Sequence, residues 1–344
     1  MKNTYKLLII MFTFLLAGSN IFAGGGNRTG TAGATQLLIP VGVRGISMSS
    51  ANISTSYGIE ALFWNPAGVS KMTNSTDLMF THMNYIADIG VEYGAVAANF
   101  EDFGVVSFSI KSLSVGDILI TTTQNPDGTG ATFSPQMITA GLTYSKLLTD
   151  RIGIGITLNF ISETLDKVSA NGVAFNVGAI YDNLADVNGL SFGIVLRNIG
   201  PQMKYDGPGL VTLADVSGQN RPPSYYKVST ASFELPSSFE IGFGYQPQLD
   251  EMNALQFSGT FQSNNFSGDE YKVGAEYGYN NIFFVRGGYS FSPESQNPEY
   301  IYGFTAGAGL HYDLEGISVG FDYAFRSVDI FDSDNHVFGL TLGF

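Results

Sequence analysis

The sequence predicts an all-β fold, a transmembrane antiparallel β-barrel of about 14 strands with an N-terminal plug segment in its lumen. Three observations predict it. The chain opens on an export signal. From Asp77 onward, apolar residues alternate with small or polar ones in segments of about ten residues, the period of a strand with two unlike faces. The connections between those segments alternate between short and long, as turns and loops do at the two ends of an outer-membrane barrel.

Residues 1–23 read as a secretory signal peptide. Lys2 and Lys6 make the positive start, Leu7 begins the apolar stretch, and Ala23 is the expected last residue before cleavage. The apolar stretch is shorter than the ~20 residues of a spanning helix. No later apolar run approaches the ~18 residues of a helical span. The chain has no cysteine, which removes disulfides, thiolate metal sites and cysteine nucleophiles. Its net charge of −14 becomes −16 once the signal takes its two lysines and no acid, so nucleic acid is not an expected partner. With 42 glycines, 13% aromatic and only 13% charged residues, the exported chain suits a barrel in lipid, and no cofactor is implied.

Residues 24–76 are expected to form an N-terminal periplasmic and plug segment, and residues 77–344 the outer-membrane barrel. The segment starts Gly/Thr-rich, and residues 36–70 never settle into period 2. Pro40, Gly42, Gly45, Gly58 and Pro66 break short apolar runs there. The single tryptophan, Trp64, precedes Asn65-Pro66-Ala67-Gly68. Pro66 pushes Asn65 out of the helical region and favours a turn. Small residues around Arg44 and Gly45 allow backbone to pack on backbone. This compact, irregular stretch needs walls.

The walls follow in order, with strands expected to start near residues 77, 91, 104, 135, 151, 171, 190, 237, 253, 269, 282, 301, 316 and 335. Ile152, Ile154, Ile156, Leu158 and Phe160 alternate with Gly153, Gly155, Thr157 and Asn159. Phe239, Ile241, Phe243 and Tyr245 alternate with Glu240, Gly242 and Gly244, and Ile317 to Phe325 repeats the pattern. A soluble sandwich would place more charge on its polar face. Here that face is mostly Gly, Ser, Thr and Asn, which suits a lumen filled by protein. Long connections follow only odd strands, among them residues 112–134 and 200–236, so the long-loop end is external and both termini are expected to be periplasmic.

Parity points Lys111, Arg197, Glu240, Lys272, Glu276, Arg286, Asp322 and Arg326 into the lumen. Buried charges persist when paired or hydrogen-bonded, so these are expected to hold one another and plug carbonyls. One pair follows from the ladder. Tyr277, Tyr279, Phe283, Val285 and Tyr289 belong on the lipid face, where a charge near the midplane would cost roughly 2–4 kcal/mol. A three-residue turn at Asn280-Asn281-Ile282 preserves that face and sets Glu276 opposite Arg286. A two-residue turn would mix the faces.

Catalytic chemistry finds little support. His82, His311 and His336 are the three histidines, and neither a Gly-x-Ser-x-Gly elbow nor a His-Glu-x-x-His spacing occurs. Asp332, Asp334 and His336 could meet a cation, though acceptors on such a short loop are ordinarily solvated.

The run Arg44-Gly45-Ile46-Ser47-Met48-Ser49-Ser50-Ala51, followed by Trp64-Asn65-Pro66-Ala67-Gly68, resembles the N-terminal signature of the PorV/PorQ family. Arg197-Asn198-Ile199-Gly200, Gly274-Ala275-Glu276-Tyr277 and Arg286-Gly287-Gly288-Tyr289 agree with it, and Val43-Arg44-Gly45-Ile46 departs from its alanine-rich run. That family resembles the FadL group of fourteen-stranded barrels, in which the N-terminal segment is a plug. The resemblance implies the outer membrane of a Gram-negative bacterium, with lipid around the wall. It also implies a non-enzymatic part in type IX secretion, with secretion-machinery or cargo proteins as partners. A FadL-like channel for a hydrophobic small molecule is the alternative. Residues 200–236 form the longest connection, long enough to be functional, and Met203, Tyr205, Tyr225 and Tyr226 make it the expected partner-docking loop.

Overall fold

The computed structural model describes residues 30–215, 222–293, 300–314, 316–329, 331 and 333–344. Fourteen strands close into a barrel. They are β1 (Thr76–Asn84), β2 (Gly90–Asn99), β3 (Val105–Ser114), β4 (Gln136–Leu147), β5 (Ile152–Leu165), β6 (Val168–Asp182), β7 (Leu190–Ile199), β8 (Ser238–Tyr245), β9 (Asn253–Asn264), β10 (Glu270–Tyr279), β11 (Phe283–Phe291), β12 (Tyr302–Leu314), β13 (Ile317–Val328) and β14 (Asn335–Gly343). Each pairs antiparallel with its sequence neighbours, and β14 returns to β1 from Asp77 opposite Gly343 to Asn84 opposite His336. No barrel strand is left with an open edge, which is what lets a sheet stand in hydrocarbon. Every strand starts within three residues of its expected position. The sequence periodicity is sharp because one face meets lipid and the other meets protein.

That division is visible along β5. Ile154, Ile156 and Phe160 are exposed on the outside, while Thr157 and Asn159 are buried inside. Tyr277, Tyr279, Phe283, Val285 and Tyr289 are all outward and exposed. Asn280 and Asn281 adopt left-handed φ of 54° in the turn between β10 and β11, and Tyr279 lies opposite Phe283. Two bulges interrupt the ladders. One, on β7, leaves Arg197 and Asn198 both buried, with Asn198 at φ 54° and its amide N–H donated to Asn176 Oδ1 at 2.8 Å. The other shifts β12 against β13 between Tyr302 and Thr305. Bulges re-aim side chains: the first turns the Asn198 amide onto the Pro236 carbonyl at 3.0 Å, and the second lies beside Thr305, which bonds the Ser47 carbonyl at 2.9 Å.

Residues 30–75 run through the barrel as short helical turns, including Val43–Ser47, Ala61–Trp64 and Pro66–Lys71. The contacts of its first described residues lie at the long-loop end of the wall. The Gly33 N–H donates to the Glu234 carbonyl at 3.0 Å, and Ala32 bridges Glu234 in parallel. Ala34 and Leu37 pack with Ile161, Ala170, Ala174, Met203 and Leu235 at the long-loop end of the wall. The segment therefore enters from the outer end and descends. Lys71 meets Asp182 at 2.7 Å, where β6 reaches the short-turn end. The physical reason is apolar: the folded-back long loop and the rims of β5 and β6 cover Ala34 and Leu37. Residues 1–29, on which the expected signal peptide falls, lie outside the described residues.

One expected result follows. Thr31 is exposed at the long-loop end, and the chain has no competing cysteine. Thr31→Cys should label on intact cells with a membrane-impermeant maleimide. Labelling only after the outer membrane is permeabilised would reverse this orientation.

Candidate functional site

The candidate site is the interface between the lumen segment and the inner wall. Its lower half is built on Trp64-Asn65-Pro66-Ala67-Gly68. Asn65 is extended at φ −150°, as a residue before proline should be. It caps the turn Pro66–Lys71 by accepting the Ala67 N–H at 3.1 Å. Its amide donates to the Ile53 carbonyl at 2.8 Å and to the Ala179 carbonyl of β6 at 3.3 Å. Trp64 is buried against Gly42 and Gly45, where any side chain would overlap the indole. Gly68 abuts the Ser56 carbonyl just as closely.

The wall yields in the same way. A Cβ at Gly155 of β5 would collide with the Pro66 carbonyl, and one at Gly178 of β6 with the Asn65 carboxamide. Gly274, Gly288 and Gly307 on β10, β11 and β12 make equivalent room for Met48 and Ser47. Much of the chain's glycine is thus a lumen lining that lets backbone approach backbone.

Charges fasten the segment above and beside this seat. Arg44 grips Glu276 of β10 with two prongs, Nε to Oε2 at 2.7 Å and Nη2 to Oε1 at 2.9 Å. It also donates to the Thr55 carbonyl at 3.1 Å and to Gln256 Oε1 at 3.2 Å, and lies over the Tyr57 ring at 4.8 Å. Glu276 stands opposite Arg286, whose Nε reaches Oε2 at 2.5 Å. Arg286 continues to Asp322 at 2.5 Å, and Asp322 to His311 at 2.9 Å. The result is an alternating chain, Arg44–Glu276–Arg286–Asp322–His311, from the segment across β10, β11 and β13 to β12. All four of its charged members have under a tenth of their surface exposed.

The remaining lumen charges are also occupied. Lys111 Nζ donates to the carbonyls of Gln36 at 2.7 Å and Ile39 at 3.0 Å, and faces the Phe63 ring at 5.1 Å. Arg197 takes the other approach to Phe63 at 5.0 Å, bonds the Trp64 carbonyl and lies 2.9 Å from Glu240. Lys272 bonds Gln262 and sits 3.1 Å from Glu270. Arg326 lies over the Tyr302 ring at 4.1 Å and beside the Asn335 amide. The carbonyl partners of Lys111 and Arg197 were expected, whereas Arg44 is the partner that strand parity alone could not supply.

The histidines have separate surroundings. His82 pairs with Glu92 at 2.6 Å on the outward face, and His336 shares a hydrogen bond of 2.8 Å with the Tyr323 hydroxyl. His311 packs against Phe284. Asp332 lies outside the described residues, and Asp334 accepts the Val328 N–H at 3.0 Å. Among the described residues no three His, Asp or Glu side chains gather as a metal site.

The long loop divides between buried and exposed members of the expected docking set. Met203 is 1% exposed, tucked with Ala34 and Leu37 beneath the loop. Tyr205 is half-buried, packs at a tilt against Phe233 and donates to Glu163 of β5. Burial and that carboxylate push the Tyr205 phenol up from its ordinary value. Neither side chain is presented outward. Beyond them the ribbon of Val211–Ala214 with Ser224–Lys227 stands clear, with Tyr225 79% exposed and Leu213 and Tyr226 also exposed.

Below the segment, a cavity of about 760 Å³ faces the short-turn end, lined by Tyr57, Gln256, Glu276 and His311 with polar turn residues.

Three structures share this architecture. The CymD monoaromatic hydrocarbon channel is 14% identical, with 89% of this chain and 98% of that one covered, and a TM-score of 0.53. The toluene transporter TodX of Pseudomonas putida is 15% identical over 88% and 96%, TM-score 0.53. The toluene transporter TbuX of Ralstonia pickettii is 12% identical over 88% and 98%, TM-score 0.52. At such identities the likeness is one of fold. No curated protein sequence matches the chain. Residues 23–217, more than half of the sequence, match the family described as type IX secretion system protein PorV. The chain belongs to the PorV family of type IX secretion system proteins and is a fourteen-stranded barrel of the Gram-negative outer membrane.

Proposed function

We propose that this barrel works as a plugged, non-enzymatic docking component of type IX secretion. In this reading the lumen segment stays in place while secretion-machinery or cargo proteins bind at the outer loops. The observation that carries the reading is the way the segment is held. It is bonded to β3 through Lys111, to β6 through Asn65, to β7 through Arg197 and to β10 through Arg44. A side that is meant to open would be expected to be less fastened. The β2–β3 and β3–β4 ladders beside the segment run without a change of register, which disfavours a lateral exit for a hydrophobic small molecule. The exposed ribbon of Val211–Ala214 with Ser224–Lys227, which carries Leu213, Tyr225 and Tyr226, is the surface a protein partner would use.

Photo-crosslinking from position 225 on living cells tests this. The expected product is a covalent adduct between the barrel and a type IX secretion protein, abolished by Tyr226→Asp with Leu213→Asp. Tyr225→Cys should also label from outside. Wild-type secretion and no adduct, together with impaired hydrocarbon uptake in a deletion strain, would replace the docking reading with the solute-channel one.

A further inference from the structure

The ribbon of Val211–Ala214 with Ser224–Lys227 is a two-stranded sheet, and among the described residues no third strand joins it. Its register fixes which backbone groups are in use. The Val228 N–H donates to the Leu210 carbonyl at 2.8 Å, one step before Val211 stands opposite Lys227. Leu210 and Val228 are therefore a hydrogen-bonded pair, and bonded and non-bonded pairs alternate along an antiparallel ladder. Thr212 with Tyr226 and Ala214 with Ser224 are the next bonded pairs. The N–H and C=O groups of Val211 and Leu213 thus point out of one edge. Those of Tyr225 and Lys227 point out of the other.

The two edges are not alike. On the second, Lys227 pairs with Asp206, and a lysine on an edge discourages a further strand. The first, Val211-Thr212-Leu213-Ala214, carries no charge and no proline, and its register has no bulge. Val211 and Leu213 are both exposed and share a face with Tyr225. Two strands alone are marginal in water, and a third over an apolar face supplies what they lack.

We propose that the Val211–Ala214 edge takes an extended segment of the docked protein as a third strand. This rests on the docking reading and names the form in which the partner binds. The segment's backbone bonds the outward groups of Val211 and Leu213. Its alternate side chains are apolar and lie along the face that Val211, Leu213 and Tyr225 share. The paired positions need no charge, because the edge presents none. The partner is recognised by an unpaired, uncharged strand.

The test places a photo-crosslinker at position 225 on living cells, with the heat-modified gel shift confirming a folded barrel in every variant. Leu213→Pro removes an outward N–H and no bond within the ribbon, a place where an edge strand tolerates proline. It should cut the adduct with the type IX secretion protein about tenfold, as one lost hydrogen bond would. Lys227→Pro makes the same change on the opposite edge and should leave the adduct at full yield. Leu213→Val keeps the outward N–H and should do likewise. An adduct that persists in Leu213→Pro would overturn the third strand and leave docking standing. Equal loss in both proline variants would also overturn it, because the whole ribbon and not one edge would then be needed. An adduct of two barrels would put a second copy of this chain in the partner's place. No adduct in any variant would remove the docking reading and this inference together.

Discussion

Glu276→Gln should destabilise the barrel more than Glu276→Gln combined with Arg44→Gln. The carboxylate stands between two buried guanidinium groups, with Arg44 at 2.7 Å and Arg286 at 2.5 Å. Removing its charge leaves Arg44 without its two-pronged partner, with only the more distant Glu60 near it, while Arg286 keeps Asp322; a buried uncompensated charge costs about 3–5 kcal/mol. Removing Arg44 as well leaves Arg286 paired with Asp322, a balanced couple. Arg44→Gln by itself leaves the opposite imbalance, two carboxylates around Arg286, and should also exceed the double variant. The same logic separates Glu276→Gln/Arg286→Gln, which strands Arg44 and returns less. Thermal midpoints of the four variants, followed by loss of the heat-modified gel shift, decide it. Losses that simply add would mean the three groups do not share one network.

The wall was legible because lipid and protein make such different demands on alternate residues. Val285 and Arg286 are neighbours in sequence and opposites in surroundings, 63% and 3% exposed. No other register satisfies both. The three-residue turn at Asn280-Asn281-Ile282 was readable for the same reason, and the opposition of Glu276 and Arg286 with it.

What parity could not reach was anything set by contacts distant in sequence. Arg44 lies 232 residues from Glu276. In sequence it is one cation in a run of small residues, with nothing local to name its partner. The direction of the lumen segment depends on Ala32 meeting Glu234 and on Leu37 sharing a cluster with Met203. Met203 looked like a docking residue because loops ordinarily expose their side chains, whereas this loop folds back over the rim. The inward turn of Asn198 needed a bulge that breaks the alternation used to read the strand. A run of lumen glycines was the available signal for a close-packed occupant. Its meaning emerged only when Gly155 and Gly178 were found against Pro66 and Asn65.

A lumen segment held by so many wall contacts should close the barrel. Deleting residues 36–70 removes Arg44, Trp64, Asn65 and Pro66 together, while all fourteen strands from Thr76 onward remain. Ala34 then loses its chain path to the outer cluster, so residues 24–35 would trail from the short-turn end of β1. The glycine-lined interior would be left to water, flanked by the charges of Lys111, Arg197, Glu276 and Arg286. Conductance in planar bilayers measures this directly, with the heat-modified gel shift reporting that the deleted barrel is folded. The expected result is a silent intact protein and a folded deletion that conducts steadily as an open pore. A folded deletion as closed as the intact barrel would contradict the account.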